Sequence, residues 1–136
     1  MKREIYKFPG IAELAAQLAA DFKAAAEEKA AAGERLIVAL SGGHTPKSFF
    51  EVLAQPPYRD SEPWDSVIFF WGDERCGPPD NDESNFKMTN LALLSHITIP
   101  EQNVHRVLGE NPPEEEAERY AEVIQNFVPS AGNGFP

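Results

Sequence analysis

Cysteine is almost missing: Cys76 is the only one among 136 residues, so no disulfide can form within the chain. That suits a reducing compartment. Long apolar runs are missing too, because no stretch approaches the ~20 residues that cross a bilayer. Met1-Lys2-Arg3-Glu4 leads into a short strand-like run instead of the apolar core of a signal peptide. Positive charge is scarce: 12 Lys and Arg stand against 22 Asp and Glu, a formal net charge of −10. This balance argues against nucleic acid and against anionic membrane as the main partner. No pair of histidines has HExxH or similar spacing, so no metal is expected. Neither the GxxxxGK(S/T) loop of nucleoside triphosphate sites nor the GxGxxG dinucleotide fingerprint occurs. What remains is an ordinary globular composition, 42% hydrophobic and 25% charged. The expectation is one soluble, cytoplasmic domain with a real core.

Against these absences one segment stands out. The apolar run Leu36-Ile37-Val38-Ala39-Leu40 leads directly into Ser41-Gly42-Gly43-His44-Thr45-Pro46. A short, wholly apolar run predicts a buried parallel strand. Two glycines let the backbone turn sharply and approach a ligand. Thr45 is a good helix N-cap, and Pro46 fits the first helical position. Strand, glycine loop and helix N-terminus then bring free N–H groups and the positive end of a helix dipole together, which suits a phosphate. A tight turn without a ligand has the same local pattern.

The rest of the chain alternates strands with helices. A first strand is expected over 4–8, closed by Pro9-Gly10. Ile11, Leu14, Ala15, Leu18, Phe22, Ala25 and Ala26 recur at helical spacing in an alanine-rich segment that Gly33 ends. A helix over 46–54 stops at Gln55-Pro56-Pro57. Val67-Ile68-Phe69-Phe70-Trp71 predicts a second buried strand, with Gly72-Asp73-Glu74-Arg75 at its C-terminal end. After a loop over 78–82, a helix is expected over 84–96, with Phe86, Met88, Leu91 and Leu94 available for packing. A short strand over 104–107 and an acidic helix over 114–127 follow. That helix offers Ala117, Tyr120, Ala121 and Ile124 to a core, and Glu114-Glu115-Glu116 is read as its solvated first turn. The tail 129–136 is read as a loop. The pattern predicts an α/β fold with a parallel sheet and helices on both faces. Ligands bind such sheets outside the carboxyl ends of the strands, where both polar motifs fall.

The candidate site residues follow from that edge. Ser41, Gly42, Gly43 and Thr45 form the candidate anion loop, and Arg75 can grip a phosphate through two parallel N–H bonds. Asp73 can accept from sugar hydroxyls or take a proton; a surface ion pair with its neighbours is the competing reading for this triplet. His44 faces either the ligand or solvent. His96 is expected to bond the last carbonyls of its helix. His105 is read as structural, and Cys76 as a bystander thiol.

At these residues the chain resembles 6-phosphogluconolactonase. The resemblance runs through Ser41-Gly42-Gly43-His44-Thr45-Pro46, Trp71-Gly72-Asp73-Glu74-Arg75, Pro79-Asp80-Asn81-Asp82-Glu83-Ser84-Asn85-Phe86 and Ile99-Pro100-Glu101-Gln102-Asn103-Val104-His105-Arg106, in order over nearly the whole chain. It implies a Rossmann-like sheet and hydrolysis of 6-phospho-D-glucono-1,5-lactone to 6-phosphogluconate in the pentose phosphate pathway, with no cofactor. It places the substrate near Ser41, Gly42, Gly43, Thr45 and Arg75, with Asp73 close to the reacting end. The related glucosamine-6-phosphate deaminases usually carry a tyrosine where Arg75 stands. A deaminase or isomerase, or a non-catalytic phosphosugar-binding module, is the alternative. Family enzymes run to roughly twice this length, and their second half carries a Gly-x-Gly-x-Asp-Gly-His-Thr segment with the expected general base. Nothing here matches that segment. The expectation is therefore that residues 1–136 are the N-terminal part of a single phosphosugar lactonase domain, truncated before the rest. A sheet edge left exposed would then invite self-association.

Overall fold

The computed structural model describes residues 3–130 and 132. Three parallel strands, β1 (Leu36–Leu40), β2 (Val67–Trp71) and β3 (Val104–His105), lie in that order. The register pairs Leu36 with Val67 and Leu40 with Trp71, then Phe69 with Val104 and Phe70 with His105. The β2 side chains are buried along its whole length, as a central parallel strand requires.

Helices cover both faces. α1 (Ile11–Ala31) buries Ala15, Ala19, Phe22 and Ala26 as one stripe. Gly33, just past its end, takes φ 71°, a left-handed conformation that favours glycine. α2 (His44–Leu53) packs beside α1 and buries Phe50 and Leu53. With α4 (Asn85–Ala92) these helices close an aromatic core around Phe69, Val67, Trp71 and Trp64. A short α3 (Tyr58–Ser61) and a 3₁₀ turn (Trp64–Ser66), neither expected from the sequence, carry Trp64 into that core. On the other face α5 (Pro113–Phe127) lays Tyr120 against Ile68 and Phe70.

Several expectations need correction. Residues 4–8 form no strand; Ile5 is 81% exposed and Tyr6 73%. The segment lies along α1 instead, where Tyr6, Lys7 and Phe8 line a cleft with Leu14 and Leu18. β1 is not fully buried: only Leu40 is, and Ala39 is exposed. It is one of the sheet's two edge strands, and on the α5 face the buried cluster centres on Ile68 and Phe70 of β2, with Ile37 of β1 only partly buried at its margin. The helix expected over 84–96 ends at Ala92, where the fully buried Leu93 leaves helical geometry (φ −135°, ψ −61°) before a 3₁₀ turn at Leu94–His96. Leu91 points outward, 62% exposed. On α5, Ala117 and Ala121 are exposed and Glu116 is buried. The Glu116 carboxylate accepts from the Leu108 N–H at 2.7 Å and from Arg119 Nε at 2.7 Å, so this residue fastens α5 to the chain after β3. Of the tail, 131 and 133–136 lie outside the described residues.

Candidate active site

The loops after β1 and β2 leave the sheet side by side. Leu40 and Trp71 are register partners, and the Gly72 N–H donates to the Leu40 carbonyl at 2.9 Å. The first loop turns at Gly43, whose φ of 108° favours glycine. Helix α2 begins at once: Gly43 is its N-cap and His44 its first residue. Thr45 therefore caps nothing and sits inside the first turn, where no side chain caps the helix. The His44 and Thr45 N–H groups have no intrahelical acceptor, Pro46 has no N–H, Lys47 donates to the Gly43 carbonyl, and the dipole adds partial positive charge. Gly42 is required for a different reason from the one its motif suggests. A Cβ there would lie 2.0 Å from Asn85 Oδ1, so only glycine lets the loop pass so close to α4.

The three charged residues after β2 take three different roles. Glu74 turns inward and accepts four hydrogen bonds: from the N–H groups of Arg75 (2.8 Å), Asn85 (2.7 Å) and Phe86 (3.0 Å), and from Ser84 Oγ (3.0 Å). A carboxylate at a helix N-terminus is favoured by both the free amides and the dipole. Ser84 completes the cap by accepting from the Lys87 N–H at 3.1 Å. Asp73 stays exposed, and Asn85 Nδ2 donates to its carbonyl at 3.1 Å and to its Oδ1 at 3.3 Å. The Arg75 side chain makes no hydrogen bond or ion pair among the described residues. The surface ion pair considered for this triplet does not form there.

Arg75 and the glycine loop meet in one cavity of about 260 Å³, lined on one side by Gly43, His44 and Lys47. The facing wall comes from Asp82, Glu83, Ser84, Asn85 and Met88, with Asp82 already engaged by Lys87 at 2.6 Å. A guanidinium, an ammonium and a helix N-terminus around a small open cavity suit a phosphate monoester. Of the residues expected there from the sequence, the structure brings Gly43 and Arg75 into this cavity. Ser41, Gly42, Thr45 and Asp73 lie beside it without lining it. Arg75 also borders an apolar cavity of about 350 Å³ with Val107, Leu108, Tyr120 and Ile124.

The other candidates fall outside this cavity or at its margin. His44 reaches its wall. His96 Nε2 meets the Leu91 carbonyl at 3.0 Å, the helix-end role expected of it. His105 is stacked on Phe70, ring centroids 4.9 Å apart, and burial pushes its pKa down. Cys76 is exposed and unpaired. The Tyr120 hydroxyl accepts from the Trp71 N–H at 2.7 Å and donates to the His105 carbonyl at 2.9 Å; burial pushes its pKa up to about 12. Among the described residues no group of three or more His, Cys, Asp or Glu is arranged to hold a metal ion, and no helix is long and apolar enough to cross a membrane.

Sequence reasoning missed Lys47, Glu74 and Asn85 as site residues. Lys47 had a signal, being the first cation in the helix after the glycine loop. Asn85 and Glu74 had none locally, since their partners lie 11 and 12 residues away.

Comparison with known proteins places this geometry. The family model described as glucosamine-6-phosphate isomerases/6-phosphogluconolactonase matches residues 9–136. A 6-phosphogluconolactonase of Haemophilus influenzae is 42% identical over 93 residues, 68% of this chain and 40% of that protein. One from Nostoc sp. is 41% identical over 103 residues, 75% of this chain and 41% of that protein. The crystal structure of a devB protein superposes with a TM-score of 0.87 at 42% identity, covering 92% of this chain and 51% of that one. That of the Thermotoga maritima 6-phosphogluconolactonase gives 0.74 at 32% identity, covering 96% and 54%. A monomeric glucosamine-6-phosphate deaminase shares the fold, with a TM-score of 0.81 at 18% identity. The chain thus spans about half the length of its solved relatives and about 40% of the curated ones. With the match running from residue 9 to 136, this chain belongs to the family of glucosamine-6-phosphate isomerases and 6-phosphogluconolactonases.

Proposed function

We propose that residues 1–136 form the N-terminal part of a single phosphosugar lactonase domain, and that the whole domain hydrolyses 6-phospho-D-glucono-1,5-lactone to 6-phosphogluconate in the pentose phosphate pathway. The observation that carries this reading is the cavity shared by Gly43 and Arg75 at the N-terminus of α2. The phosphate takes the Arg75 guanidinium and the free amides of the first turn, with Lys47 adding charge. Ser41, Gly42 and Thr45 border that grip, and Asp73 reaches the sugar end. Anchoring the phosphate orients the lactone carbonyl. Water then adds to C1, the oxyanion collapses, and the ring C–O bond breaks to give the acid and a free hydroxyl. The base that activates the water belongs to the part of the domain beyond this chain.

The same reading takes a small phosphosugar lactone as partner and puts the reaction in the cytoplasm. A charge of −10 disfavours nucleic acid, and the open edge of β1 offers a route to self-association. Calorimetric titration of the chain with 6-phosphogluconate tests the reading. Arg75→Ala is expected to weaken binding at least about tenfold, the loss of one charge-assisted bidentate contact. Binding unchanged by that substitution removes Arg75 from the site. Ammonia release from glucosamine 6-phosphate by the full-length protein would favour the deaminase alternative instead, against which Arg75 stands.

A further inference from the structure

We propose that Asn85 is a positioning residue of this site: it aims the Asp73 carboxylate at the sugar end of the ligand and sets its distance from the glycine loop. The proposal rests on the phosphosugar reading above. Asn85 is 6% exposed and held from several sides. Its N–H donates to Glu74 Oε1 at 2.7 Å. Its carbonyl accepts from Thr89 Oγ1 at 3.0 Å, and that hydroxyl in turn accepts from Trp71 Nε1 at 3.2 Å. The backbone of Asn85 is thereby fixed against the C-terminal end of β2. One end of its amide donates to the carbonyl and to Oδ1 of Asp73. The other end presses on Gly42 so closely that no Cβ fits between them.

This geometry needs an asparagine. An amide has donors at one end and an acceptor at the other, whereas a carboxylate has no donor to give Asp73. With Oδ1 of Asp73 engaged, its Oδ2 has no partner among the described residues and is left for the ligand. Asn85 also lines the cavity assigned to the phosphate, but its amide donates to Asp73 and not to Arg75 or the start of α2. Its directed hydrogen bonds therefore act on the sugar end, whereas at the phosphate end it is only part of the wall.

Titrating the purified chain with 6-phosphogluconate and, separately, with inorganic phosphate separates these ends. Asn85→Asp sets two carboxylates against each other and also adds a charge to the wall of the phosphate cavity, so it is expected to weaken 6-phosphogluconate binding about tenfold and phosphate binding by clearly less. Asn85→Ala, which frees Asp73 without repulsion, is expected to cost about threefold for 6-phosphogluconate only. It carries the same comparison should Asn85→Asp fail to fold. A residue needed merely for folding would weaken both ligands together, so equal losses overturn the proposal, as does full retention of 6-phosphogluconate binding in both variants. A wild-type chain that binds phosphate but not 6-phosphogluconate also overturns it, since no sugar-end contact then exists to aim. A wild-type chain that binds neither overturns the reading of the site itself.

Discussion

On one face of the sheet, α1 and α2 press Phe22, Phe49 and Phe50 towards Phe69 and Trp64, with ring centroids 5.6 to 6.4 Å apart. On the other face, α5 contributes one large buried side chain, Tyr120, and Ala117 and Ala121 of α5 are exposed, as is Ala39 of β1. The first face is closed by apolar area and dispersion, which need no particular direction. The second is pinned by the two-way hydrogen bonding of one hydroxyl and keeps apolar surface open. Adjacent strand residues sample these two regimes, because side chains on β2 alternate between the faces.

The sharpest way to break this contrast is to truncate those neighbours. Phe69→Ala is expected to cost about 3–5 kcal/mol, and Phe70→Ala at least about 1 kcal/mol less, because the looser α5 face can relax around the hole. Urea unfolding curves check both, and equal costs would mean that the two faces are equally closed. Tyr120→Phe comes next, at about 1–3 kcal/mol, the penalty for a buried Trp71 N–H left without its acceptor. A loss well under ~1 kcal/mol would show that packing and the Glu116 carboxylate, and not this hydroxyl, hold α5.

A smaller effect concerns the one misfit on the α1 face. The Glu62 side chain is fully buried, with no hydrogen bond to either oxygen and Lys23 Nζ 3.7 Å away. Burial raises its pKa more than Lys23 lowers it. The folded state therefore holds this proton more tightly than the unfolded chain does. The ionised form costs stability at neutral pH, and the cost fades as pH falls through the raised value towards 4.5. Glu62→Gln is expected to raise Tm by about 4 °C at pH 7 and to lose that gain below about pH 4.5. A lower Tm at pH 7 would make the Lys23 pair dominant. The smallest effect belongs to His105 on the α5 face. Burial lowers its pKa from 6.5, and the Arg119 charge adds to the shift. Acidification below about pH 6.5 thus protonates the unfolded chain first and favours it. His105→Phe is expected to lessen the fall in Tm between pH 7.5 and 5.5, and an identical fall would exclude His105 as its source.

The strands and long helices were legible because they rest on local pattern: five consecutive apolar residues at 36–40 and 67–71, and helical spacing in α1. Both site loops were legible for the same reason, since each follows such a strand directly. What the pattern did not carry was pairing at a distance. Nothing near residues 4–8 tells that no strand accepts them. Nothing near Glu116 tells that it is buried by partners on another segment. Within the site, Gly42 reads as a phosphate-loop glycine, yet its need arises from Asn85, which is 43 positions further on. The helix start at His44 instead of Pro46 follows from Gly43, which already supplies the turn that Thr45 was expected to cap.

The Glu74 clasp has a consequence for how this site tolerates change. Three of its four donors are main-chain N–H groups, at Arg75, Asn85 and Phe86, and every residue except proline supplies one. Side-chain changes at those positions leave these three bonds in place, although Asn85 adds its own side-chain bonds to Asp73 across the same joint. The vulnerability of the clasp is gathered into a single carboxylate: replacing Glu74 removes all four bonds at once, whereas no single donor position carries more than one of the main-chain three.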